Sequence, residues 1–216
     1  MYRIGVFDSG VGGKSVARAI RRAFPEDTVK FVSDTKNLPY GTKSPDVLFE
    51  LVLPILQKLA QDSDVIVIAC NTVSTTLISR LRKKISTPLI ALEPMVKPAA
   101  GLTKSGVIAV CATPTTLASA RYSWLKDAYA SNIRVIEPDC SDWASMIEAS
   151  SLEQQQIYKS ITKVCKQGAD VIVLGCTHYH WIEKEINEVA KEFNAVVIQP
   201  EQPVVAQLKR VLGRLA

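Results

Sequence analysis

Two stretches of this chain, Asp64-Val-Ile-Val-Ile-Ala-Cys70 and Asp170-Val-Ile-Val-Leu-Gly-Cys176, are near copies of one another. Each runs from an acid through unbroken aliphatic residues to a small residue and a thiol. An uninterrupted Val/Ile run of this length suits a strand buried on both faces, and such strands belong to parallel sheets covered by helices. The copy adds a second constraint: whatever the first half of the chain builds, the second half builds again. Gly5-Val-Phe-Asp8 and Gly106-Val-Ile-Ala109 open the two halves in the same way.

The rest of the chain alternates as this arrangement requires. Strands are expected at 3–7, 28–33, 65–69 and 89–92, and helices at 12–24, 45–60 and 73–84. Ser44-Pro45 reads as an N-cap with proline at the first helical position. After Glu93-Pro94 the pattern restarts, with strands at 106–110, 134–136, 171–174 and 195–198. Helices are expected at 115–130, 143–149, 152–167 and 181–193, and a closing helix at 202–215. The expected fold class is α/β: two pseudo-symmetric domains, each a mostly parallel sheet flanked by helices, with the active site in the cleft between them. The expected domains are 1–94, joined by the C-terminal segment 199–216, and 95–198.

Composition narrows the function classes. Apolar residues make up 47% of the chain and charged residues 22%, spread along it, which argues against disorder. No apolar run approaches the ~20 residues of a membrane span. The five cysteines are odd in number and form no C-x-x-C pair, so neither a disulfide framework nor a structural zinc site is expected. A signal peptide is not expected either, because Met1-Tyr2-Arg3-Ile4 begins a strand. The chain reads as soluble, reduced and cytoplasmic, without a membrane partner. Its net charge of +5 suits anionic small molecules, but the Lys/Arg clusters at 18–22 and 80–84 fall on helical stretches. They read as solvated helix faces, and no nucleic acid is required.

Ligands of open parallel sheets bind outside the carboxyl ends of the strands. Asp8-Ser9, Cys70-Asn71-Thr72, Thr113 with Thr116, and Cys176-Thr177-His178 all collect there. Any one of these reads as a helix cap; four together, two with thiols, read as a cleft. Two like groups on opposite walls suit inversion at a carbon bearing an acidic hydrogen, because one removes the proton and the other returns one. Cysteine, with a pKa of about 8.5, suits both roles. Asp8 and Glu148 can orient a thiol or an amino group, and His178 can serve the proton traffic of Cys176. Backbone N–H groups at helix starts, with Ser9, Asn71, Thr72 and Thr177, offer an anion site without Arg or Lys.

Cys165 falls in a helix and reads as packing, while Cys111 ends a strand and is placed at the cleft wall without reacting. Cys176, His178 and His180 lack metal-site spacing, so no metal is expected, and His180 is placed on the exposed start of the following helix. The turn Asp8-Ser-Gly-Val-Gly-Gly13 is neither a G-x-G-x-x-G nor a P-loop, so its free N–H groups are expected to suit a carboxylate.

The blocks GVFDSGVGG, LPYGTKSP, VIACNT, ATPTTLASARY and LGCTHY resemble those of cofactor-independent glutamate racemases, in the aspartate/glutamate racemase superfamily. They occur in that family's order and cover most of the chain. The resemblance implies interconversion of L- and D-glutamate with no pyridoxal phosphate, metal or other cofactor, supplying D-glutamate for peptidoglycan, and it allows a homodimer. It implies Cys70 and Cys176 as catalytic acid/bases, Cys70 acting on D-glutamate and Cys176 on L-glutamate. Asp8 stands beside the first thiol, and His178, with Glu148 as its acidic partner, beside the second. The implied substrate contacts are Asp8, Ser9, Pro39, Tyr40, Gly41, Cys70, Asn71, Thr72, Thr113, Thr116, Cys176, Thr177 and His178. The chain departs from the family at Lys14, at His180 in place of a proline, at Gln199-Pro200-Glu201 and in a short segment after Glu148. The alternatives are a relative acting on aspartate, a hydantoin or maleate, and a non-catalytic module for a small anion or nucleic acid.

Overall fold

The computed structural model describes residues 1–215. The chain runs β1 (Arg3–Asp8), α1 (Lys14–Ala23), β2 (Thr28–Ser33), α2 (Pro45–Gln61), β3 (Val65–Ile68), α3 (Asn71–Leu81), β4 (Leu89–Ala91) and α4 (Val96–Leu102). It continues β5 (Val107–Cys111), α5 (Pro114–Leu117), α6 (Ala120–Tyr129), β6 (Arg134–Ile136), α7 (Trp143–Glu148), α8 (Gln154–Lys166), β7 (Val171–Leu174), α9 (Glu183–Glu192), β8 (Val196–Ile198) and α10 (Glu201–Leu212).

The strands form two four-stranded parallel sheets, ordered β2-β1-β3-β4 and β6-β5-β7-β8. The orders are the same, and the two copied stretches occupy the same place in each. In β3, Ile66 and Ile68 face a core under α2 and α3, while Val65 and Val67 face the opposite core with α1 and α10. In β7, Ile172 and Leu174 face one core and Val171 and Val173 the other. Alternate side chains leave a strand on opposite faces, so each run must be apolar throughout. Each fully buried aliphatic residue contributes about 1.5–3 kcal/mol.

The acids that open the two copies also do the same job. Asp64 accepts from the N–H of Arg3 at 2.8 Å, and Asp170 from those of Lys104 and Ser105 at 2.7 and 2.8 Å. Each carboxylate thus pins the backbone entering the neighbouring central strand. The N-cap expected at Ser44 is present, its hydroxyl accepting from the N–H of Val47, with Pro45 in the first turn.

Several local expectations need correction. The helix expected at 115–130 is two helices, because Ser119 accepts from Tyr122 N–H and caps a fresh start at Ala120. Helix α4 was not expected; Pro98 sits in its first turn, where a missing N–H costs nothing. The helix expected from 181 starts at Glu183, since Thr177–Ile182 is a 3-10 turn. His180 lies in that turn and is buried rather than exposed. After β8 the chain returns to the first sheet, where Val204, Val205, Leu208 and Leu212 of α10 pack against Val16, Ala17 and Ile20 of α1. No helix among the described residues is long and apolar enough to cross a membrane.

Candidate active site

In both sheets the order reverses beside the first strand, so the loops leaving the two central strands diverge and open a crevice. The two crevices face each other across one cavity of about 480 Å³, a size suited to a small ligand. The first half supplies Ser9, Leu38 to Thr42 and Cys70-Asn71-Thr72. The second supplies Thr113, Cys176-Thr177-His178 and one face of the segment around α7.

Cys70 is the residue before α3, and its sulfur lies 3.4 Å from Ser9 Oγ. Burial pushes the Cys70 thiol up to about 12, helped by the nearby Asp8 and opposed by Ser9 and the Val73 N–H. Cys176 ends the copied strand in the other half, 3.6 Å from His178 Nδ1. His178 Nε2 meets Glu148 Oε1 at 2.7 Å, and Glu148 also accepts from Val11 N–H at 2.9 Å. Burial alone would lower the His178 pKa, but Cys176, Asp8 and Glu148 outweigh it and raise it to about 10. The ring is therefore cationic at neutral pH and can donate from both nitrogens.

This raised pKa has a consequence for stability. A group that binds its proton more tightly when folded stabilises the fold fully below its unfolded pKa, and loses that contribution as pH rises through the folded value. For His178 the window runs from about pH 6.5 to about 10. In urea unfolding across that range, the protein should lose more stability than a His178→Asn variant does. Parallel curves would show that His178 is not held charged.

Two expected contacts stand behind the cavity wall. The Asp8 carboxylate is fully buried, accepting from Gly10 and Gly13 N–H at 3.1 and 3.0 Å and from Thr177 Oγ1 at 3.1 Å. The turn's free N–H groups, expected to suit a ligand's carboxylate, thus serve the chain's own: Gly10 and Gly13 bind Asp8, and Val11 binds Glu148. Burial raises the pKa of Asp8, against the opposing influence of His178 and of these hydrogen bonds. Thr116 is also fully buried, bonded to Thr113 at 3.0 Å and to Thr72 at 3.4 Å. Thr72 and Thr113 meet directly at 2.9 Å, across the two halves.

The other expected residues, Ser9, Pro39, Tyr40, Gly41, Cys70, Asn71, Thr72, Thr113, Glu148, Cys176, Thr177 and His178, line the cavity. Tyr40 is held by its hydroxyl, which donates to Asp34 at 2.6 Å. Asn71 is buried, and both polar atoms of its amide lack a partner within the protein. Such an amide costs free energy unless a ligand or water pairs it. Among the described residues no lysine or arginine lines the cavity, so an anion there meets the His178 ring, neutral donors and the start of α3.

Sequence reasoning missed the wall formed by Ser141, Asp142, Ala144, Ser145 and Ala149. Its one signal was Glu148 in the same short helix. Cys111 does not line the cavity as expected. It is wholly buried with Cys140 and Cys165 in the core behind Cys176.

The family model described as Asp/Glu/Hydantoin racemase matches residues 13–208. A glutamate racemase of Ectopseudomonas mendocina is 37% identical, over 98% of this chain and 82% of that protein. One of Pseudomonas aeruginosa is 38% identical, over 99% and 82%. Among solved structures, Escherichia coli glutamate racemase in complex with L-glutamate and the activator UDP-MurNAc-ala superposes with a TM-score of 0.90 at 27% identity, covering 98% of this chain and 82% of that one. Glutamate racemase isoform RacE1 of Bacillus anthracis gives a TM-score of 0.84 at 28% identity, with 100% and 83% covered.

Proposed function

The chain belongs to the Asp/Glu/Hydantoin racemase family, and from that premise we propose that it is a glutamate racemase, interconverting L- and D-glutamate by proton transfer between two cysteines. The observation that carries this reading is the pair Cys70 and Cys176, which follow topologically equivalent strands and face one cavity from opposite halves of the chain. Glutamate is favoured as substrate because the relatives that match nearly the whole chain are glutamate racemases.

The chemistry proceeds in two proton transfers. The thiolate of one cysteine takes the α-proton, forming an S–H bond as the C–H bond breaks. The electron pair left on the α-carbon delocalises into the adjacent carboxylate, and the thiol of the other cysteine delivers its proton to the opposite face. Inversion leaves the two sulfurs with exchanged protonation states. The surroundings support unequal starting states: burial and Asp8 favour the protonated thiol at Cys70, and the ring of His178 offers an N–H to the sulfur of Cys176. By the family resemblance, Cys176 is the base toward L-glutamate, and Cys70 the base toward D-glutamate once the states exchange. Glu148 holds His178, and Asp8 acts through Cys70 and Thr177 from behind the wall. Ser9, Asn71, Thr72, Thr113 and Thr177 meet the substrate's polar groups, within a pocket shaped by Pro39, Tyr40 and Gly41.

The reaction needs no pyridoxal phosphate, metal or other cofactor. In this reading the product D-glutamate serves peptidoglycan synthesis in the cytoplasm. Neither a nucleic acid nor a membrane is a required partner, and a homodimer is compatible. Residues 1–94 with 199–215 form one domain and 95–198 the other, the chain crossing at Glu93-Pro94 and again at Gln199-Pro200.

The direct test is incubation of each glutamate enantiomer with the protein in heavy water. Inversion with deuterium gained at the α-carbon is expected. Folded protein that yields neither exchange nor a change in optical rotation sinks the reading. Turnover of aspartate, a hydantoin or maleate instead moves the substrate within the family, and ligand binding that survives alanine at both thiols, without turnover, favours the non-catalytic module.

A further inference from the structure

Two residues beyond His178, the second histidine of the chain is buried at a junction that lies outside the cavity. His180 Nδ1 is 3.0 Å from Ser15 Oγ on α1 and 3.6 Å from Glu201 Oε1 at the start of α10. Ser15 Oγ also reaches the carbonyl of Gly12 at 3.2 Å. A polar chain therefore runs from the glycine turn through Ser15 and His180 to the last helix, and none of these residues lines the cavity. Glu201 is held below the usual carboxylate range by hydrogen bonds from His180 and Ser15.

The geometry is not that of a hydrolytic triad. Ser15 and Glu201 share one ring nitrogen, and Nε2 is buried with no partner. Burying an imidazole with one nitrogen unpaired is costly, and an apolar ring of similar shape would avoid that cost. What the imidazole supplies instead is a fixed tie between the two halves of the chain. His180 belongs to the 3-10 turn Thr177–Ile182, which carries His178 and follows Cys176 and has no side-chain cap of its own. His178 of this turn faces the cavity, while His180 faces α1 and α10. The turn rests on the glycine loop, where a Cβ on Gly12 would come within 2.6 Å of His178 N. Without a side-chain cap, its orientation depends also on what grips it from outside.

We propose that His180, tied to Ser15 and Glu201, is a positioning residue that sets the placement of the Cys176–His178 turn against the Cys70 wall. This rests on the racemase reading above. Proton transfer tolerates little displacement, about 1 Å costing on the order of a hundredfold.

The test compares His180→Phe, which keeps a ring but no donor, with His180→Asn, whose amide nitrogen can stand where Nδ1 stood. His180→Phe is expected to lower kcat at least ~10-fold with KM changed less than ~3-fold, and His180→Asn to recover most of the loss. With α-deuterated substrates, the isotope effect on His180→Phe should rise for the enantiomer from which Cys176 takes the proton, and not for the other. Should His180→Phe not fold, Glu201→Gln is expected to show the same one-sided isotope effect. Without substrate, the rate at which iodoacetamide labels Cys176, but not Cys70, should change at least ~3-fold in His180→Phe. Unchanged kcat, equal losses in Phe and Asn, symmetric isotope effects or unchanged Cys176 labelling each overturn the proposal. A parent protein inactive on glutamate fails the racemase reading instead, and the labelling comparison still decides the positioning role.

Discussion

Serine at either Cys70 or Cys176 is expected to lower glutamate racemisation by at least about three orders of magnitude. Serine keeps the shape of cysteine, but its hydroxyl is far too weak an acid to be ionised near neutral pH, so the wall that carries it can no longer take the α-proton. The enantiomers have equal free energies, so kcat/KM must fall equally in both directions whichever sulfur is lost. The variants are told apart by exchange with heavy water. Any residual exchange is confined to L-glutamate in Cys70→Ser, where Cys176 remains, and to D-glutamate in Cys176→Ser. Far-ultraviolet circular dichroism should match the parent in both. Racemisation within tenfold of the parent in either variant would falsify the two-thiol scheme.

Alanine at Gly12 is expected to have the next largest effect. A Cβ at that position would sit 2.6 Å from both the His178 nitrogen and the Thr177 carbonyl carbon. Both are backbone atoms, so no rotamer change relieves the clash; the glycine loop must move away from the turn after Cys176. Overpacking of this kind costs about 1–3 kcal/mol, and a displacement near 1 Å between the two walls costs roughly a hundredfold in kcat/KM. Gly101→Ala is the control. It lies in α4, and a Cβ there meets nothing within 4 Å. That change should raise stability by a few tenths to about 1 kcal/mol and leave activity untouched. If Gly12→Ala retains parental activity and melting temperature, the two halves are not in the close contact described.

The strands and the two thiols were legible because their signals are local and repeated. A Val/Ile run buried on both faces has few other uses, and a thiol after each copy marks the same place twice. The polar residues at strand ends were legible for the same reason, as was the cap at Ser44. Other features depend on partners far away in the chain. Nothing near His180 announces that it will meet Ser15, 165 positions earlier, so a histidine beside a helix start read as exposed. Asp8 was a substrate contact by resemblance alone, and the free N–H groups of its turn suited a ligand's carboxylate; the chain folds those of Gly10 and Gly13 onto Asp8 itself. Ser119 inside a helical stretch became a cap because its backbone is extended there and helix α6 starts afresh after α5. The wall around Asp142 was hidden because its residues form no motif and join the thiols around one cavity only in the folded chain.

The return of α10 to the first sheet has a mechanical consequence. The chain crosses between the halves once near Glu93-Pro94 and again near Pro200, and both crossings line one small cavity separate from that of the thiols. A body attached at two neighbouring points can swing about the line through them but cannot spin freely. Any relative movement of the two halves is thereby confined to rotation about that line. Cys70 and Cys176 therefore keep one facing across the cavity.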